Sequence, residues 1–519
     1  MQVNLVMRTS KSTRFIFPFI LLTAMFIMGQ MPTPNDYISS YIGTLKHKSS
    51  SEITNSPWGI QVGSLEKDHV DKAAQIGIKW TRLQLSWDQV EKSKGVYNWG
   101  ASDTAFEMAL QRGITPFISL CGSNKLYCKE AETDARQKEL YGISPIPPTA
   151  DSLAMKAWLT FIKKAIERYK EKISYWEIWN EPNHPHYWGA APSGAEYGKL
   201  VSATSDVIKS VDSKAKIIGG ALAGLDPEFT ANFLANGVAK KIDILSFHNY
   251  AELPEDRIYK AIETWDVINK FNPSLELWQG ECGYPSSSST RDYRGTSPWG
   301  VTIQAKWLLR QAFTDVFFCR TTMSNYFKLV HQGGRGDLPK RSFLTAVDSV
   351  LGFPAKGGSR VKSVGVNEKC ILQNPTLTPK PAFDAYRNLC SVFDSRYKVK
   401  KMSIKIEVLD QGNFYGIGSE DDAFPSIPLS ASFRSATGSN FIAYWLPWHP
   451  QELIKEATVR ISVEGTKFKH PVLVDILTGK VFNLNYENSK SGTFVANNIP
   501  LADYPFAIVE QNEIVLSNE

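Results

Sequence analysis

Two glutamates are placed where an ionised side chain is otherwise avoided. Glu181 follows the apolar run Ser174–Trp179 in the string Trp179-Asn180-Glu181-Pro182-Asn183, and Glu281 follows another in Leu277-Trp278-Gln279-Gly280-Glu281-Cys282-Gly283-Tyr284. A carboxylate at the end of an apolar strand points out of the wall and into an opening rather than into a core. Two carboxyl groups facing each other over one cleft can cleave a glycosidic bond: one protonates the leaving oxygen while the other attacks the anomeric carbon.

The surrounding chain supplies the elements that would hold such a pair. Short β-rich runs recur at Pro57–Gly63, Trp80–Trp87, Thr115–Gly122, Ser174–Trp179, Lys216–Gly220, Ile242–Tyr250, Leu275–Gly280 and Thr321–Val330, each followed by an amphipathic stretch. Ala154, Ala157, Trp158, Phe161, Ile162, Ala165, Ile166 and Tyr169 keep the helical spacing, which predicts a helix over 153–170. Asp226-Pro227-Glu228 has the N-cap and first-turn chemistry of a helix start. Eight strand–helix units with largely apolar strands imply a parallel sheet covered outside by helices, and eight is the number that closes a (β/α)8 TIM barrel; an open doubly wound sheet is the alternative. In a barrel the working residues sit at the C-terminal strand ends, which is where both glutamates fall. Past Phe393 the period becomes two, as in Met402, Ile404, Ile406 and Val408 or Val459, Ile461 and Val463, and reads as an antiparallel β-sandwich. The expected organisation is a leader over 1–30, a linker over 31–56, a barrel over 57–395 and a sandwich over 396–519. The sandwich is expected to pack on the barrel, with carbohydrate contact as an alternative duty.

With these strings in place, the region 57–395 resembles the retaining glycoside hydrolases of clan A, most specifically in Asn180-Glu181-Pro182 at the end of the fourth strand, and family 39 is the subgroup it most resembles. The resemblance implies Glu181 as acid/base and Glu281 as nucleophile. It also implies that Asn180 hydrogen-bonds the sugar 2-hydroxyl and that Arg82 holds the nucleophile ionised. Ser246-Phe247-His248-Asn249-Tyr250 is similar to the family's strand-six His-x-Tyr, which would put His248 and Tyr250 beside the nucleophile, and Thr378-Pro379-Lys380-Pro381-Ala382-Phe383 resembles the opening of the last barrel helix. The electrostatics then follow. Glu281 needs cationic or hydroxyl donors, which Arg82 and Tyr250 would supply, whereas Glu181 needs an apolar wall and a nearby like charge to keep its proton. Trp179 provides that wall only if its ring turns into the cleft. Trp188, Trp278, Trp299 and Tyr284 are candidate faces on which a pyranose would stack, against the alternative that they pack a core.

The rest of the sequence bounds the setting. Arg8, Lys11 and Arg14 precede the apolar run Phe15–Met28, a leader of signal-peptide length, so export to the periplasm, cell surface or medium is expected, with retention as an N-terminal membrane anchor as the variant. Those three residues supply half of the net charge of +6 over 519 residues, and no Lys/Arg block marks a nucleic-acid footprint. Cys121 with Cys128 is the first choice for a disulfide and Cys370 with Cys390 the second; Cys282 and Cys319 read as buried in apolar strands, and all six could equally be reduced packing residues. No Cys/His grouping has zinc spacing, His184 and His186 lack a suitable carboxylate partner, and the Gly333-Gly334 loop lacks the context of a phosphate cradle. No cofactor and no metal are expected, and Arg335-Gly336-Asp337 reads as a flexible rim. The expected partner is a polysaccharide or oligosaccharide. The competing reading is a carbohydrate-binding or scaffolding protein on a catalytically silent barrel, which would bind glycan without forming products.

Overall fold

A computed structural model describes residues 40–63, 66–128, 146–189, 191–251, 253–286, 300–330, 369–373, 376–414, 416–418, 426–449, 451–490 and 492–517. The leader, most of the loop between Tyr127 and Thr149, Trp299 and the 333–337 loop lie outside the described residues. Eight parallel strands close a barrel: Trp58–Gln61, Trp80–Ser86, Thr115–Cys121, Tyr175–Ile178, Lys216–Ala223, Ile244–His248, Glu276–Cys282 and Met323–Phe327, numbered here first to eighth. The eighth pairs with the first, Asn325 opposite Gly59, so the sheet has no free edge. Each strand is followed by a helix, from Lys67–Ile76 after the first to Pro381–Val392 after the eighth.

The local signals act as their chemistry dictates. The helix expected over 153–170 runs from Ser152 to Tyr169 and is capped by the Asp151 carboxylate, which accepts from the amides of Leu153 and Ala154. The Asp226 carboxylate accepts from the Phe229 amide at 2.9 Å and opens the helix Pro227–Leu234. The last barrel helix starts at Pro381, as the Thr378–Phe383 string suggests.

Inside the barrel the N-terminal ends of the strands are plugged. Trp80, Phe117, Tyr175, Ile218, Ile244, Trp278 and Met323, one from each strand but the first, form a separate apolar cluster. Trp278 stands between Trp80, Phe117 and Tyr175, with ring centroids 5.1–5.6 Å away, and its indole N–H donates to Thr322 Oγ1 at 2.8 Å.

The second unit is a two-sheet β-sandwich. Its four-stranded sheet contains Ile404–Asp410 and Glu456–Val463, whose side chains alternate towards and away from the core. Its seven-stranded sheet contains Asn440–Trp445 and Phe506–Glu510, and one of its edges is a strand from the other end of the chain: Tyr41–Thr44 pairs antiparallel with Lys480–Asn483. Part of the segment expected to be a linker is therefore sandwich. The sandwich core is continuous with the first, seventh and eighth barrel units, because Phe313 of the helix Val301–Phe313 packs on both Trp58 of the first strand and Phe441 of the sandwich. All six cysteines are free and buried, so the expected Cys121–Cys128 bond is absent: Cys121 lies under Ser86 at 3.9 Å, while Cys128 packs into the core beneath the helices. Cys319 sits in the turn after the helix Val301–Phe313 rather than in a strand.

Candidate active site

Both glutamates face the barrel mouth because their strands break the regular alternation just before them. In the fourth strand Tyr175 and Glu177 point inward and Trp176 and Ile178 outward; Trp179 then takes a left-handed conformation, φ 72°, and Glu181 another, φ 46°. Such backbone costs about 1–3 kcal/mol per residue and concentrates at functional sites. The turn sends the Trp179 ring outward, against Trp158 and Trp188, and delivers Asn180 and Glu181 to the opening. In the seventh strand the register slips between Gln279 and Cys282, so Glu281 turns inward and Cys282 goes to the core outside.

Arg82 is the hub. Its side chain is wholly buried, and its three nitrogens all donate: Nε to Glu177 Oε2 at 2.6 Å, Nη1 to Glu281 Oε2 at 3.2 Å, and Nη2 to Ser119 Oγ at 3.0 Å and Asn180 Oδ1 at 2.9 Å. Burial opposes its charge, but the carboxylates of Glu177 and Glu281 outweigh burial and hold the guanidinium above its ordinary range. Accepting from Arg82 orients the Asn180 amide, so its nitrogen is left to donate.

The two carboxylates sit in different surroundings. Glu281 accepts from Arg82 and, at 2.7 Å, from the Tyr250 hydroxyl. Burial first and the Glu281 charge second push the Tyr250 phenol well up, so it stays protonated as a donor. Glu181 Oε1 lies 3.0 Å from His248 Nδ1. His248 Nε2 is buried and has no hydrogen-bond partner among the described residues, which leaves Nδ1 to donate to the Glu181 carboxylate. Burial raises the Glu181 carboxyl, but the His248 hydrogen bond and the charges of His248, Arg82 and His184 outweigh it and bring the group below its usual value. The sequence argument asked for the opposite, an apolar wall that keeps Glu181 protonated. That wall is missing because the Trp179 ring points away from the cleft.

One oxygen of Glu181, one of Glu281 and one nitrogen of His248 all lie within 4.8 Å of one another. The facing oxygens of the two carboxylates are therefore no more than 4.8 Å apart, near enough to reach one anomeric centre; retaining pairs hold their carboxyl groups roughly 5–5.5 Å apart and inverting pairs roughly 6.5–9.5 Å. The same three atoms have the spacing of a cation site, but the inner oxygens of Glu281 already accept from a guanidinium and a phenol.

The cleft thus gathers two hydrogen-bonded groups, Arg82, Asn180, Glu281 and Tyr250 in one and Glu181 with His248 in the other, side by side. Of the aromatics expected as sugar faces, Trp188, Trp278 and Tyr284 are not part of it. Trp278 lies in the plug at the opposite end, Trp188 is buried against Trp179 and Tyr197, and Tyr284 is buried with its hydroxyl accepting from Arg257. The mouth instead holds the Phe327 ring, edge-on to Tyr250 at 6.3 Å, and Lys369, whose ammonium lies 4.1 Å from the Tyr250 ring centroid. Sequence reasoning also missed Glu177, whose other oxygen accepts from Ser246 Oγ at 2.8 Å. The signal was present, an acid inside the apolar run Tyr175–Ile178.

Residues 66–270 match the sequence profile described as Glycosyl hydrolases family 39, which bears out the resemblance; the match takes in Arg82, Asn180, Glu181, His248 and Tyr250 and stops short of Glu281. A β-xylosidase of Geobacillus stearothermophilus is 29% identical over 207 residues, covering 36% of this chain and 40% of its own length. The chain thus matches less than half of that relative. Among solved structures, a family 39 glycoside hydrolase from Bacteroides cellulosilyticus WH2 superposes with TM-score 0.60 at 17% identity, over 90% of this chain and 83% of that one. A GH30 endoxylanase from Clostridium papyrosolvens C71 gives TM-score 0.57 at 8% identity, over 90% and 97%. At those identities the likeness is one of fold.

Proposed function

We propose that the protein is a retaining O-glycoside hydrolase that cleaves β-glycosidic bonds in polysaccharide or oligosaccharide, β-xylosides first, by double displacement. The observation that carries the reading is the pair Glu181 and Glu281, with oxygens within 4.8 Å of each other and only one of them held by a guanidinium. Glu281, ionised between Arg82 and Tyr250, attacks the anomeric carbon from one face. Glu181, in its acid form, protonates the glycosidic oxygen as the bond to the leaving group breaks. The glycosyl ester neutralises Glu281. Glu181, now a carboxylate, takes a proton from the incoming water, which displaces Glu281 and restores both groups. The Asn180 amide, aimed by Arg82, donates to the sugar 2-hydroxyl. The bond from His248 favours the base form of Glu181 and confines the acid form to lower pH, which gives an acidic optimum.

The β-xylosidase relative favours the xylosidic substrate. The reading includes export directed by residues 1–30; deleting them and fractionating the expressing cells tests that part, with retention in the cytoplasm expected. The main test follows the anomeric configuration of the first-formed sugar by proton NMR during hydrolysis of aryl β-xylosides. Retention is expected; an inverted product rules out the mechanism.

A further inference from the structure

The β-sandwich touches the nucleophile's support through one short turn. After Tyr250 the chain makes a single 3-10 turn, Pro254–Asp256, before the helix Arg257–Phe271. Glu255 on that turn is almost wholly buried, and its carboxylate accepts three times: from Arg310 Nε at 2.9 Å, from Arg310 Nη2 at 2.6 Å, and from the indole nitrogen of Trp445 at 2.8 Å. Arg310 belongs to the barrel helix Val301–Phe313, but Trp445 belongs to the sandwich strand Asn440–Trp445. The sandwich grips this helix again where Arg310 Nη1 donates to the Trp448 carbonyl at 2.8 Å, and where Lys306 bonds Asp503 and the carbonyls of Gln451 and Leu453.

Either side of Glu255 the same turn holds the seventh strand at its catalytic end. Tyr250 donates to Glu281 itself, and Arg257 donates to the Tyr284 hydroxyl at 2.8 Å and the Cys282 sulfur at 3.3 Å, while its other branch pairs with Asp315. We infer that the sandwich is a working part of the catalytic site, and that Trp445, through Glu255, is a positioning residue that sets Tyr250 against the Glu281 carboxylate. The inference rests on the assignment of Glu281 as nucleophile. It gives the sandwich a duty apart from carbohydrate contact: a buried acid whose bonds come from both units locks the turn, and a buried carboxylate left short of a donor keeps its desolvation penalty.

The test uses the full chain with Trp445→Phe, which keeps an aromatic ring and removes only the indole donor, alongside Tyr250→Phe and the double variant. Ile461→Val, a core change in the other sandwich sheet, serves as the control for stability alone. Hydrogen exchange of the 249–257 peptide is expected to quicken in Trp445→Phe and not in the control. On aryl β-xylosides kcat is expected to fall roughly 2- to 30-fold with KM unchanged, and the loss is not repeated when Tyr250 is already Phe. Unchanged exchange in 249–257, or losses from Trp445→Phe and Tyr250→Phe that multiply, overturns the inference. A wild-type chain that cleaves no glycoside defeats the functional reading instead, while the exchange result still decides whether Trp445 holds the turn.

Discussion

The two ends of the barrel interior are built from the same strands, two residues apart, and are opposite in character. At the N-terminal end stand Trp80, Phe117, Tyr175, Ile218, Ile244, Trp278 and Met323. Two positions further along the same strands come Arg82, Ser119, Glu177, Gly220, Ser246, Gly280 and Asn325. One side-chain period turns a hydrophobic plug into a polar layer, and that layer carries the catalytic groups above it. Gly220 shows how tight the changeover is: with φ 107°, a Cβ there would lie 2.3 Å from the Ser246 carbonyl oxygen. The contrast teaches where stability and chemistry separate. The plug is an apolar cluster of its own, the catalytic carboxylates stand at the other end of the same strands, and the buried Arg82–Glu177 pair lies between them.

Substitutions at the three levels test that division. At the mouth, Glu281→Gln should lower kcat on the order of 10⁴-fold or more while melting changes little, since the nucleophile is lost but Glu177 still pairs with the buried Arg82 and the new amide oxygen can still accept from it. Activity left intact would remove Glu281 from the mechanism. In the middle layer, Arg82→Met should cost about 3–5 kcal/mol of unfolding free energy by leaving Glu177 buried and unpaired, and activity should fall with it. Adding Glu177→Gln should recover stability without recovering turnover; recovery of both would mean that Arg82 does not act on Glu281. At the plug, Trp278→Ala should cost about 3–5 kcal/mol by opening a cavity. Its kcat per folded molecule should match wild type, and a lower value would break the separation of the two ends.

The smallest effect is a shift in pH dependence. In the folded protein Glu181 is held below its usual value chiefly because the His248 bond outweighs burial, so its acid form is lost as pH rises through that lowered value. His248→Ala removes the donor and leaves the burial, so the group moves up and the basic limb of kcat/KM moves to higher pH. A limb that stays in place, or moves down, would show that His248 does not set the Glu181 proton.

Much of this was legible in the chain. The eight apolar runs, the Asp226-Pro227 cap and the period-two alternation past Phe393 are local, and local signals survived folding. Glu181 and Glu281 were readable because each ends an apolar run. What stayed hidden depended on partners far away in sequence. Glu177 carried the same signal, an acid in an apolar run, but its meaning comes from Arg82, on a strand two places round the barrel. The outward Trp179 ring depends on a left-handed residue that no turn motif announces. The strand Tyr41–Thr44 is too short to show a pattern and exists because Lys480–Asn483 offers it an edge. The large aromatics followed the commoner rule that such rings fill cores. Their replacement at the mouth, Phe327, lies at the end of its strand and carries no motif.

The central claim is that Glu281 forms a bond to the sugar. Incubation with 2-fluoro-β-xylosyl fluoride, followed by peptide mass analysis, addresses it directly: a single fluoroxylosyl adduct on Glu281, absent from the Glu281→Gln variant, is the result expected. An adduct on Glu181 or any other residue, or steady turnover of the natural glycoside with no trapped enzyme, would contradict it.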